Sequence, residues 1–221
     1  MITRLAVILS LVVSLAARAN AQDVSKAPQL SPAASVSQTI GLTDVTVAYH
    51  RPAVAGRKIW GELVPYGEVW RTGANENATI RFSSPVKIEG KTLSPGTYGL
   101  YMIPSPTSWT VIFSKMSVAW GAYSYDAKED VLRIRVTPQS TAEPTERLSF
   151  DFDDPTNARA TVALRWDRLR VPFVVEVDTP AVVMASMRAE LRGLPRFYWP
   201  GWAQAADYWL HNGGKIGRAH V

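Results

Sequence analysis

The sequence predicts a mainly β protein, an antiparallel β-sandwich or jelly-roll-like domain over residues 40–178 followed by a short α-helical tail over 179–215. Three observations carry this. Apolar and polar residues alternate with period two in segment after segment between residues 43 and 178, which is the pattern of strands with one buried face. Turn residues punctuate those segments at short intervals, as antiparallel hairpins require. After residue 178 the apolar spacing changes to that of a helix.

The elements follow in order. Arg4 precedes an apolar run from Leu5 to about Leu15, and Ala19-Asn20-Ala21 supplies a small-x-small cleavage pattern, so residues 1–21 are expected to be a secretory signal peptide. The run is shorter than the ~20 apolar residues a membrane span needs. Residues 22–39, rich in Ser, Pro and Ala, read as a flexible leader.

Val45, Val47 and Tyr49 then alternate with Thr46, Ala48 and His50, and Leu132, Ile134 and Val136 with Arg133 and Arg135. The pattern returns at Leu148, Phe150 and Phe152, and again at Val162, Leu164 and Trp166. Glu89-Gly90-Lys91, Ser94-Pro95-Gly96 and Asp153-Asp154-Pro155-Thr156-Asn157 are the turns, and the whole implies roughly eight to ten strands closing as a sandwich.

Thr179 is placed as an N-cap with Pro180 at the first helical position, and Val183, Met187 and Leu191 recur on one face before Gly193. A second helix is expected from about Trp202 to His211, with a spacing similar to the first helix of a tetratricopeptide-like hairpin. Residues 216–221, "IGRAHV", resemble the translation of a sequencing-library adapter. They are set aside as an artefact. The helical tail is accordingly expected to be truncated and to continue beyond Lys215.

Composition narrows the function classes. The chain has no cysteine, which excludes disulfides, thiol chemistry and N-terminal Cys lipidation. Its formal charge of +5 falls to +3 when Arg4 and Arg18 leave with the signal, and basic residues are interleaved with acidic ones. A phosphate backbone requires a continuous basic stripe, so no nucleic-acid partner is expected. No later segment has the length of a transmembrane helix.

One long stretch carries a resemblance. Tyr49-x-Arg51-Pro52, Gly56-Arg57-x-Ile59, Val69-Trp70-Arg71-Thr72-Gly73-Ala74-Asn75-Glu76 and Gly96-x-Tyr98-x-Leu100 occur in sequence, followed by "WGAYSYDAKEDVLRIRV" and "ERLSFDF". Together they resemble the bacterial domain of unknown function family 2911, over about residues 40–178. The resemblance implies an exported protein with a β-rich domain, often with C-terminal helices, and it supplies no catalytic residue. Ser94 stands where members more often carry Ala.

The chemistry must therefore be read from side chains. The only histidines are His50, His211 and His220, too few and too dispersed for a metal centre, so neither metal nor cofactor is expected. Asp151, Asp153, Asp154 and Asn157 could offer oxygen ligands to calcium, but they lack the spaced loop pattern and have the composition of a turn. No Gly-x-Ser-x-Gly elbow is present, which disfavours a serine hydrolase. Glu62, Glu68 and Glu76 cluster around the 69–80 stretch and keep open a carboxylate pair for glycan hydrolysis, through Glu76 or Glu68.

The stretch "VWRTGANENATI", residues 69–80, admits two readings. As a turn, Trp70 packs under the sandwich, Arg71 bonds carbonyls, Gly73 takes a positive φ and Asn75 forms an Asx-type turn. As a site, His50, Arg51, Arg57, Trp70, Arg71, Asn75 and Glu76 converge at one end of the sandwich, beside Trp60 and Tyr66, to bind a glycan or small polar ligand. Polar groups in surplus of what a turn needs favour the site. The sequence thus points to an exported ligand-binding or interaction module of the bacterial envelope, periplasmic or extracellular. The alternatives are a glycan hydrolase and a scaffold that docks a protein partner through its helical tail.

Overall fold

The computed structural model describes residues 28–212; the expected signal peptide and the 216–221 tail lie outside these residues. The chain divides into two units, Met1–Leu30 and Ser31–Val221. Of the first, residues 28–30 are described and belong to no helix or strand. The second contains ten strands, in two antiparallel sheets.

The first sheet has six strands in the order β1-β2-β3-β6-β7-β8: β1 Ala33–Ile40, β2 Thr43–His50, β3 Ala78–Phe82, β6 Gly96–Ile103, β7 Trp109–Ser114 and β8 Asp130–Val136. The second has four in the order β5-β4-β10-β9: β4 Val86–Ile88, β5 Lys91–Leu93, β9 Gln139–Asp153 and β10 Arg159–Glu176. One apolar core lies between the sheets, where the Tyr49 and Phe150 rings meet edge to face at 5.0 Å and those of Phe113 and Phe173 at 5.8 Å. The expected sandwich is the fold.

The alternations produce their strands for the reason given by the pleat. Val45, Val47 and Tyr49 are buried on β2 while Asp44 and Ala48 are exposed. Glu89 and Gly90, at φ 48° and 75°, form the two-residue turn joining β4 to β5, in the left-handed pair that matches strand twist in a tight hairpin.

In β10 the even positions Ala160, Val162, Leu164 and Trp166 are buried, with Ala163 beside them, and further on the odd positions Val171, Phe173 and Val175. A change of phase in one strand would turn its apolar set to the solvent. It does not, because Asp167 adopts φ 52° and the pairing with β9 shifts register on both sides of it, between Arg165 and Asp167 and between Asp167 and Leu169, an irregularity that lets the strand change phase.

Three boundaries differ from expectation. Residues 33–39 of the expected leader form most of β1, which pairs with β2 along its whole length from Ala33↔His50 to Ile40↔Thr43. This is an edge strand held by main-chain bonds, with Ala34, Val36 and Gln38 only half-buried, so its composition carries little apolar signal. In the first helix, α1 Thr179–Glu190, the N-cap is Asp178 rather than Thr179, its carboxylate accepting from Ala181 N at 3.1 Å. The Thr179 hydroxyl instead donates to Asn157 O. The second helix, α2 Trp199–His211, begins three residues before Trp202. Among the described residues no helix is long and apolar enough to cross a membrane.

Candidate functional site

The segment between β2 and β3 builds one end of the sandwich. Just beyond His50 the chain crosses to the second sheet: Leu148 N donates to Pro52 O at 3.0 Å and Val54 N to Glu146 O at 2.7 Å. The two arginines here serve this crossing. Arg51 Nε donates to Leu148 O at 3.0 Å, and Arg57 closes a local turn on the carbonyls of Val54 and Ala53. Among the described residues neither forms a hydrogen bond or ion pair with Glu76.

The chain returns through two tryptophans. Trp70 exchanges main-chain bonds with Met102, N to O at 2.8 and 3.0 Å, and its ring stacks on Trp166 at 5.9 Å with the planes 16° apart. Trp60 meets Trp70, Trp109 and Trp166 edge to face at 5.9, 4.9 and 5.6 Å. The two loop tryptophans thus plug the core between β7 and β10. The indole N–H of Trp70 points to Gly73 O at 3.3 Å, and its ring belongs to the core rather than to a ligand face.

Residues 72–77 are held from three sides. Gly73 takes the expected positive φ, at 159°, while Thr72 and Asn75 hold the left-handed positions at φ 58° and 56°. A Cβ on Gly73 would lie a tight 3.1 Å from His50 O, so the loop rests directly on the end of β2. Asn75 Nδ2 donates to Ser31 O at 3.3 Å, and Gly121 N donates to Asn75 O at 3.1 Å. Buried Asn77 donates its main-chain N–H to Ala119 O at 3.0 Å and accepts from Ala119 N on Oδ1 at 2.8 Å.

This geometry brings His50 and Glu76 together, Nε2 to Oε2 at 3.3 Å, with the imidazole largely covered and half of the carboxylate's side chain exposed. Arg71 stands apart from every other polar side chain in the loop. It is half-buried, its Nε is buried, and among the described residues its guanidinium has no hydrogen-bond or ion-pair partner. A turn-fixing arginine would bond carbonyls; this one bonds none.

A second segment, 115–126, borders the candidate site; in the sequence its Trp120-Gly121-Ala122-Tyr123 run carried part of the family resemblance but was not placed in the site. Gly99 on β6 fixes its position, since a Cβ there would fall 2.0 Å from Met116 O. At its far end Tyr125 donates to Asp130 Oδ2 at 2.7 Å while Arg133 donates to both Tyr125 Oη at 2.8 Å and Asp130 Oδ2 at 2.6 Å. Burial and then the Asp130 carboxylate push the Tyr125 phenol up to about 12. Between these anchors Trp120 pairs with Glu76 along the main chain and is 61% exposed, and Tyr123 is 88% exposed. The available signal was the run Trp120-Gly121-Ala122-Tyr123, two aromatics around a glycine in a stretch without strand alternation.

Gly121 draws the pieces together. At φ 74°, the position its Cβ would occupy is 3.0 Å from the Tyr123 ring and 3.7 Å from Arg71 Nη1. The unpaired guanidinium and an exposed aromatic ring therefore flank the same point.

The other candidates lie elsewhere. Glu62 pairs with Lys58 at 2.9 Å on an exposed turn. Arg165 bridges Asp151 and Asp153, at 2.9 and 2.7 Å, and Arg170 adds a third contact of 2.6 Å to Asp153. Burial would raise the Asp153 carboxyl, but the hydrogen bonds and charges of Arg165 and Arg170 outweigh it and hold the group below its usual range. Arginines neutralise these aspartates where calcium had been weighed, and among the described residues no group of three or more His, Asp or Glu is arranged to hold a metal ion.

Residues 31–175 match the family described as protein of unknown function (DUF2911). The chain belongs to this family. The match includes β1, which extends the domain to about ten residues before the boundary expected from sequence. It also covers both loops of the site, whereas α1 and α2 lie beyond it. No curated protein and no solved structure matches the chain.

Proposed function

We propose that this is an exported binding module of the bacterial envelope that holds a polar ligand through an anionic group at Arg71. One observation carries the reading: a half-buried guanidinium without a partner, on a loop whose other polar groups are bonded to the scaffold. An unpaired buried donor is destabilising by ~1–3 kcal/mol; the buried indole N–H groups of Trp60, Trp109 and Trp166 are also unpaired in the core, but only at Arg71 is the group a cation, to which an anionic ligand can supply the missing acceptor. A carboxylate fits, because the guanidinium presents parallel N–H donors to a planar pair of oxygens. Export rests on the leader pattern of residues 1–21.

His50 and Glu76 add a hydrogen-bonding pair beside it. This arrangement suits recognition better than hydrolysis: Glu76 is paired with His50 and Glu62 with Lys58, whereas a glycosidase needs two carboxyls of different acidity facing one bond. The scaffold reading has its own support in the tail, where Phe197, Tyr198, Trp199 and Trp202 are exposed and could meet a protein partner.

The test is a thermal-shift titration of the protein with small carboxylates and inorganic phosphate. A ligand bound only by the folded state raises the melting temperature by mass action. The wild type should respond to at least one anion and Arg71→Met should not. An equal response from both proteins would place the anion site elsewhere.

A further inference from the structure

We infer that the ligand at this site is an acidic sugar, a pyranose that carries a carboxylate, presented within a glycan chain. The inference rests on the anion-binding reading of Arg71 and goes further by assigning the flanking residues a role. Tyr123 and Trp120 are 88% and 61% exposed, although large aromatic rings gain by burial. They sit on a segment that is pinned at both ends and in its middle: by Met116 O over Gly99, by Asn77 with Ala119, and by Tyr125 with Asp130. Rings held out on a fixed support are a ready platform.

The geometry chooses the ligand. A Cβ on Gly121 would meet the Tyr123 ring at 3.0 Å and Arg71 Nη1 at 3.7 Å, so ring and guanidinium border the same stretch of backbone, and a ligand that reaches both needs an apolar face next to an anionic group. A pyranose ring meets this description, since its axial C–H groups form an apolar face that lies against an aromatic ring while its hydroxyls project from the edge. A carboxylate on that edge reaches the guanidinium. Glu76, half-exposed and paired in its main chain with Trp120, supplies acceptors for sugar hydroxyls.

A free inorganic anion explains Arg71 but leaves Tyr123 and Trp120 without a role. An uncharged sugar explains the rings but leaves Arg71 without a partner. The acidic sugar uses both.

The experiment compares three probes by isothermal titration calorimetry on the full chain: a galacturonate oligosaccharide, the neutral galactose oligosaccharide of the same linkage and length, and succinate. The galacturonate oligomer should bind at least about tenfold more tightly than either of the others, a difference that one aromatic contact or one charge-assisted pair can supply. Tyr123→Ala should weaken the oligomer by about tenfold and leave succinate unchanged. Tyr123 is almost wholly exposed, so this variant will fold, and an unchanged melting temperature verifies it. If succinate binds through Arg71 but the acidic oligomer binds no more tightly and Tyr123→Ala changes neither, the sugar assignment is wrong while the anion site stands. If no probe responds to Arg71→Met, both are wrong.

Discussion

Replacing Arg71 by Met separates a structural arginine from a ligand-holding one without the ligand in hand. Methionine keeps an unbranched stem of similar reach and deletes the guanidinium. Among the described residues that guanidinium has no hydrogen-bond or ion-pair partner, and its Nε is buried, so the substitution removes a desolvated donor and leaves no acceptor stranded. Relieving one unsatisfied buried donor is worth ~1–3 kcal/mol, against which some contacts of the guanidinium plane are lost. The net should be a stabilisation of about 1 kcal/mol, or ~2–4 °C in melting temperature for a chain of this size.

Arg51→Met is the internal control. Arg51 Nε bonds Leu148 O across the two sheets at 3.0 Å, so its loss strands a carbonyl and should destabilise by ~1–3 kcal/mol. Thermal unfolding followed by the fluorescence of the core tryptophans reads both variants under the same conditions. If Arg71→Met falls in melting temperature as far as Arg51→Met, Arg71 is a structural tie and the reasoning from its lack of partners fails.

Two further substitutions probe the support of the site. Gly99→Ala puts a methyl against Met116 O at a position where the backbone would otherwise accept alanine. It should destabilise by about 3 kcal/mol and strip hydrogen-exchange protection from the Asn77 and Ala119 amides first; retained protection at both would show that segment 115–126 is not held there. The Tyr125 phenol, pushed up to about 12 by burial and Asp130, contributes stability that is complete below its ordinary pKa near 10 and is lost as pH rises from there through 12. Wild type and Tyr125→Phe should therefore converge in stability across that window, and a constant difference up to pH 12 would refute the assignment.

Much of the sandwich was legible because one physical cause dominates each strand. Val45, Val47 and Tyr49 are buried and their neighbours are wetter, and a period of two says so directly. β1 was not legible, because an edge strand is held by its ladder to β2 and needs few apolar side chains. The break in β10 was hidden for the opposite reason: the apolar signal continues through it, and only the positive φ of Asp167 reveals why its phase changes.

The site was legible in part. His50 and Glu76 meet, and Asn75 and Arg71 lie on the same loop. Arg51 and Arg57 count among the surplus polar groups of the sequence, but the chain turns toward β9 after His50, where Arg51 bonds Leu148 O and Arg57 the local carbonyls of Val54 and Ala53. Trp70 was included for its aromatic face, which Trp166 covers. Tyr123 and Trp120 were missed because nothing local ties residues 120–123 to residues 71–76; their meeting is a consequence of strand order, β3 beside β6 and β6 beside β7.

Within residues 69–80 the anchors of the turn can be named residue by residue. Trp70 is anchored to Met102, Gly73 to the end of β2, Asn75 to Ser31 and Asn77 to Ala119. These contacts are sufficient to fix the loop, and each would be needed in a protein that bound nothing. Arg71 contributes to none of them. Leucine or methionine at this position would avoid burying a donor without an acceptor, and it is on this contrast between the four anchors and Arg71 that the proposed ligand contact rests.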